Sequence, residues 1–158
     1  MNDKIKPLVR GAAIAAIYAV LCIVTQPISF GPMQLRFAEA LTVLPFIFPE
    51  AVWGVTLGCL IANLFGGTVL DIVFGTLATF LAAVVTRKMK SIWLAPLPPV
   101  LFNAVIVGVV IALNTYAVPS LAVISTTCLL IGASQGIVCY LIGIPLMAIV
   151  NKLKFLFK

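Results

Sequence analysis

The sequence is short of charge, short of acids, and has no histidine. Ten Lys or Arg and four Asp or Glu make up only 9% of its 158 residues. A water-soluble domain carries about 25% charged residues, so a soluble globular class is excluded. Without histidine, and with so few acids, the usual general bases and most metal ligands are missing. No HExxH pair, His-based pair or DxxD cluster is visible, so the chain is not expected to be an enzyme. The four cysteines, Cys22, Cys59, Cys128 and Cys139, stand singly in apolar runs and form no CxxC pair. They read as buried free thiols, and neither a metal site nor a cofactor is expected.

What the chain does have is apolar sequence: 63% hydrophobic residues and a mean hydropathy of +1.26. The bilayer is therefore its expected solvent. The first apolar run is too long for the core of a cleavable signal peptide. Residues 22 to 30 also lack a small-x-small cleavage site. Residues 1–158 read as one transmembrane domain with no soluble enzyme domain attached.

Charge, Pro and Gly divide the chain into six expected spans. They are Gly11 to Thr25, Phe37 to Phe48, Val52 to Phe65, Val69 to Thr86, Trp93 to Leu113 and Ile124 to Val150. The second is short and must be tilted or shielded by protein. "FPEA" at 48–51 predicts a tight turn, with Pro49 and Glu50 opening the next helix. Prolines 96, 98 and 99 shape the start of the fifth span. Pro145 predicts a kink in the sixth. The expected fold is all-α: an integral membrane bundle of six transmembrane helices.

The basic residues give an orientation. Lys4, Lys6 and Arg10 precede the first span. Arg87, Lys88 and Lys90 follow the fourth, and Lys152, Lys154 and Lys158 follow the sixth. All of these fall on one side, and Arg36 alone falls on the other. The positive-inside rule then puts both termini in the cytoplasm. The +6 net charge thus reports topology and contact with anionic membrane lipid, and no nucleic-acid partner is expected. Trp93 is expected to anchor at the interface.

The scarce polar residues gather at the opposite, outer side. Gln34 and Arg36 precede the second span and Glu39 begins it. Asn63 ends the third, Asp71 begins the fourth, Asn114 ends the fifth, and Tyr116 lies in the last outer loop. Ionisable groups at membrane depth are functional candidates, so these residues suggest a binding site for a small molecule. Structural roles compete with that reading. Arg36 and Glu39, three apart, have the spacing of a pair along one helical turn. "TVLD" at 68–71 matches a capping box between Thr68 and Asp71. Asn63 and Asn114 suit helix-to-helix hydrogen bonds, as do the mid-span Asn103 and Gln135. In "GAAIAAIYA" at 11–19, Ala12 and Ala16 form one small-xxx-small pair and Ala15 and Ala19 another, either of which lets a second helix approach closely.

The run "QLRFAEALTVLPFIFPEAVWGVTLGCLIANLFGG", followed by "LDIVFGTLATFLAA", resembles the QueT family. These are substrate-binding S components of energy-coupling factor (ECF) transporters. The resemblance covers about residues 10 to 150, and "QLRFAEAL" and "LDIVFGTLAT" are its most specific parts. It implies a bacterial cytoplasmic-membrane protein that binds a micronutrient near its outer face and has no ATPase of its own. It implies partners: one transmembrane T protein and two ABC-type ATPases, docked through the alanines of the first helix, Ala12 and Ala16, with Ala15 and Ala19 as the other register. The implied cargo is a queuosine precursor, a 7-deazaguanine such as preQ1 or queuine. Such a ligand presents ring N–H groups and an amine for carboxylates, a carbonyl for Asn, Gln or Arg, and a flat face for an aromatic. Glu39 and Asp71, the only outer acids, are expected to take the guanine-like edge and the amine. Asn63, Asn114, Gln34 and Arg36 complete the polar set, and Phe37 or Tyr116 offers a stacking face. The competing function is an autonomous proton-coupled transporter with Glu39 or Asp71 as the proton carrier.

Overall fold

In a bilayer every backbone N–H and C=O must bond within the chain, so apolar runs become helices. A computed structural model describes residues 5–31, 33–116 and 118–156, with side chains to residue 153. All regular structure among them is helical. Three helices are long and apolar enough to cross a membrane unaided: the first, Ile5–Val24, the fifth, Leu97–Thr115, and the sixth, Leu121–Leu153. Between the first and the fifth lie the second, Phe37–Phe46, the third, Ala51–Gly66, and the fourth, which runs as Asp71–Gly75 and then Thr76–Arg87. Lys4 and Lys158 fall outside the described residues, as does the side chain of Lys154.

Each expected span thus has a helix, with shifted ends. The first is helical from Ile5 rather than Gly11, because Lys6 and Arg10 extend a helix end without burying their charges. The fifth begins at Leu97 rather than Trp93. Residues 91–96 form turns that lead into it, closed by Leu94 N–H to Ser91 O and Leu97 N–H to Leu94 O, each at 3.1 Å. Pro98 and Pro99 then occupy the first helical turn, where a missing N–H costs nothing. Pro145 acts on the turn before it. Residues Ile137–Gly143 are wound wider than an α-helix, which relieves the clash between the proline ring and the carbonyl four residues earlier.

The second helix is the unusual element. It is a 3-10 helix, and residues Ala38 through Pro45 are all buried. A 3-10 helix rises ~2.0 Å per residue against ~1.5 Å for an α-helix, so ten residues reach about 20 Å. That is still shorter than a hydrocarbon core of ~30 Å. The segment is instead enclosed by the first, third, fourth and sixth helices, the protein shielding that its length demanded.

The first helix lies on the third through glycine. A Cβ at Gly54 would sit 2.7 Å from the Gly11 carbonyl oxygen, and one at Gly58 would sit 2.7 Å from Tyr18 Cβ and 2.8 Å from the Ala15 oxygen. Ala15 and Ala19 are buried in this contact, whereas Ala12 and Ala16 are exposed. Gly58→Val is therefore expected to destabilise the protein by roughly 1–3 kcal/mol through overpacking, read as a lower unfolding midpoint in detergent. Unchanged stability would mean that the two helices separate easily.

A candidate ligand site at the Arg36 end of the bundle

Two acids are held inside the bundle near its Arg36 end. Glu39 is 1% exposed, carried on the buried 3-10 helix. Its Oε1 accepts a 2.6 Å hydrogen bond from the Tyr18 hydroxyl on the first helix. Its backbone oxygen accepts from Thr42 Oγ1 at 2.6 Å and from the Cys139 thiol at 3.5 Å. The carboxylate itself is thus held by Tyr18 alone, while Thr42 and Cys139 bond the backbone that carries it. Its other oxygen, Oε2, is buried and has no hydrogen-bond partner. Asn103 on the fifth helix faces the carboxylate without reaching hydrogen-bond geometry with Oε2, and its amide donates to Gln135 Oε1 at 3.2 Å. Asn103 and Gln135 thus join the fifth helix to the sixth, as interhelical contacts.

Asp71 opens the fourth helix. Its Oδ2 accepts from the Thr68 backbone N–H at 2.9 Å and from Thr68 Oγ1 at 2.8 Å, while Thr68 Oγ1 in turn receives the Asp71 N–H at 3.3 Å. This is the capping box read from "TVLD". It uses one carboxylate oxygen, and the second, Oδ1, is buried without a partner. Asn63, fully buried at the end of the third helix, donates its amide to the Asp71 carbonyl at 2.9 Å. That bond fixes which end of the amide is nitrogen. Asn63 Oδ1 is then left buried and unpartnered. Asn114 reaches across from the fifth helix to Thr68 Oγ1 at 2.9 Å.

The two acids share no contact among the described residues and are linked only through intermediate neighbours. Asn63 Nδ2 and Thr79 Oγ1 approach the Cys59 thiol at 3.4 and 3.3 Å. Cys59 follows Gly58, on which Tyr18 packs, and Tyr18 holds Glu39. The remaining polarity is one-sided. Glu39 Oε2, Asn63 Oδ1 and Asp71 Oδ1 are all acceptors. Among the described residues these three atoms have no donor, which costs about 1–3 kcal/mol for each buried acceptor, and the buried Arg36 lies near enough to act on Glu39 electrostatically.

Arg36 does not pair with Glu39 among the described contacts. Its Nε donates to the Ser29 carbonyl at 3.1 Å, and its guanidinium lies 4.6 Å from the Phe30 ring centroid. It shapes the segment that leads into the 3-10 helix. Gln34 is buried beside it in a left-handed backbone conformation, φ +40°, a strain of order 1 kcal/mol or more that tends to gather at functional sites. Phe37 is half-buried at the start of the 3-10 helix. Tyr116 is half-exposed and lines a separate cavity of about 260 Å³ with Ala122, Val123, Thr126 and Thr127. The geometry therefore joins Asn63 to Asp71 directly and Asn114 to Asp71 through Thr68, places Glu39 further along through Cys59 and Tyr18, and leaves Tyr116 apart.

Tyr18 and Cys59 were not singled out in the sequence. The available signal for Tyr18 was a lone hydroxyl in the apolar run 11–24, since a buried tyrosine hydroxyl needs a partner. Cys59 carried no such signal.

Comparison with known proteins covers most of these positions. A family model described as QueT transporter matches residues 8–152. A curated relative from Lactococcus lactis subsp. cremoris (strain MG1363), named queuosine precursor transporter QueT, is 34% identical over 80 residues, 49% of this chain and 47% of that protein. The match thus spans about half the length of that relative. No solved structure matches the chain.

Proposed function

We propose, from the premise that this chain belongs to the QueT transporter family, that it is the substrate-binding S component of an ATP-driven ECF importer. Its cargo is a 7-deazaguanine queuosine precursor, captured at the Glu39–Asp71 cluster. The observation that carries this is the set of three buried acceptors without donors. A donor-rich, partly cationic heterocycle supplies what that set lacks, and charge-assisted hydrogen bonds to carboxylates are the strong ones. The name of the Lactococcus lactis relative points to the same cargo.

In this reading the chain is a single domain of six membrane spans in a bacterial cytoplasmic membrane, with both termini inside. Arg10 contacts Glu50 and Phe48, and Arg87 and Lys88 share a groove with Pro49. Basic residues from separate segments therefore lie at one end, which supports a cytoplasmic side there. The exposed pair Ala12 and Ala16 is the face offered to the T protein, since Ala15 and Ala19 are already occupied by the third helix.

Uptake of labelled preQ1 into proteoliposomes tests the role. The S-component reading expects uptake only with the T protein, both ATPases and ATP. Uptake driven by a pH gradient with this chain alone would instead establish the proton-coupled transporter. Ala16→Leu is expected to lower ATP-driven uptake by more than about tenfold, equivalent to ~1.4 kcal/mol of docking free energy. Ligand affinity of the isolated chain should stay unchanged. Full uptake by this variant would remove the docking assignment.

A further inference from the structure

At the Arg87 end, a groove of about 380 Å³ runs between the third and fourth helices. That is the size of a small-molecule site. Its two ends differ in chemistry. Val52, Trp53, Phe80 and Val84 make an apolar wall, with the Trp53 and Phe80 ring centroids 5.6 Å apart. Arg87 and Lys88 close the other end. Phe80, Val84, Arg87 and Lys88 are spaced 0, 4, 7 and 8 along one helix, so a single face passes from apolar to cationic.

The positive end of this groove is not neutralised from within. Among the described residues neither Arg87 nor Lys88 forms an ion pair. The acid at this end, Glu50, lies 2.8 Å from Arg10. The third helix begins at Ala51 and the fourth ends at Arg87, so their opposite dipole ends offset and the positive charge here is that of the two side chains. The apolar wall faces outward, with Trp53 63% exposed. The surrounding solvent for a transporter-family chain of this hydropathy is lipid. An anion joined to a hydrocarbon chain matches both ends.

We propose that this groove is a binding site for one anionic glycerophospholipid. Its phosphate lies on Arg87 and Lys88, and an acyl chain runs along Val84, Phe80 and Trp53. The site rests on the membrane location of the chain and not on the cargo assignment, so either can fail without the other.

The two tryptophans, Trp53 and Trp93, give a direct test. In a Trp93→Phe protein reconstituted in bilayers, Trp53 is the sole indole, and brominated lipids report which headgroup lies beside it. Brominated phosphatidylglycerol at low mole fraction is expected to quench Trp53 as though enriched about 25-fold over brominated phosphatidylcholine, each of the two cations contributing about fivefold. R87Q/K88Q should abolish the enrichment. K90Q/K152Q, which removes the same charge at exposed positions outside the groove, should keep it. Equal quenching by both lipids would mean ordinary surrounding lipid and overturn the site. Enrichment that survives R87Q/K88Q, or falls equally in both double variants, would mean a diffuse field and do the same. So would absence of quenching by either lipid, as when a second copy of the chain closes the groove. Should R87Q/K88Q fail to fold, the comparison of the two lipids on the Trp93→Phe protein decides alone.

Discussion

Glu39→Gln is expected to weaken 7-deazaguanine binding by roughly 30- to 150-fold, the equivalent of about 2–3 kcal/mol, without weakening the unliganded fold. The glutamine carbonyl still accepts the Tyr18 hydroxyl, now bonded to Glu39 Oε1 at 2.6 Å. The amide nitrogen replaces Oε2, which has no hydrogen-bond partner. A buried carboxylate that must be desolvated is thereby removed, and that desolvation costs several kcal/mol per ion. The variant should therefore melt close to the parent, because the relief of desolvation is set against two buried N–H donors placed where Oε2 was. This pairing of lost affinity with kept stability separates a ligand contact from a structural acid. Titration calorimetry with preQ1 and thermal unfolding of the same sample read both quantities. A variant that loses stability but binds normally would place Glu39 among the structural groups.

Asp71→Asn is expected to cost less, because half of the side chain already has a structural task. Oδ2 caps Thr68 at 2.9 and 2.8 Å, and an asparagine oxygen can continue to do so. What is lost is the negative charge at a helix start, about 0.3–1 kcal/mol, together with the free acceptor Oδ1. Cargo affinity should fall by roughly 5- to 15-fold, about 1–1.5 kcal/mol, with stability nearly unchanged. Asp71→Ala removes the cap as well and should lose a further ~1 kcal/mol of stability. If Asn and Ala were equally stable and both bound cargo as the parent does, Asp71 would have neither role.

The contrast between these acids shows what a membrane sequence discloses. Local features were legible: the Thr68–Asp71 capping box and the turn before Ala51, whereas the expected kink at Pro145 is seen only as a widened winding over Ile137–Gly143 of a continuous helix. Each depends on residues within a few positions of one another. The Tyr18–Glu39 bond was not legible, because it links residues 21 apart on two different helices. Nor was the 3-10 winding of Phe37–Phe46, which follows from the elements enclosing it and not from its composition. The alanine registers show the physical reason most clearly. In water, one helix face is apolar because it is buried. In lipid both faces are apolar, so Ala12 and Ala16 look like Ala15 and Ala19 until Gly54 and Gly58 select the second pair. Arg36 was ambiguous for a related cause. Its spacing suited Glu39, but its described hydrogen bond is to Ser29 and its guanidinium lies over Phe30.

Binding of a donor-rich 7-deazaguanine at the proposed Glu39–Asp71 site should need neither the ATPases nor the T protein. Thermal unfolding of the purified protein with preQ0, preQ1, queuine and guanine measures this directly. A ligand at about one hundred times its dissociation constant should stabilise the protein by ~2.7 kcal/mol. Such a shift is expected with at least one of the three queuosine precursors, larger than with guanine, and reduced in Glu39→Gln. No shift with any of the precursors, or an equal shift in the variant, would contradict it.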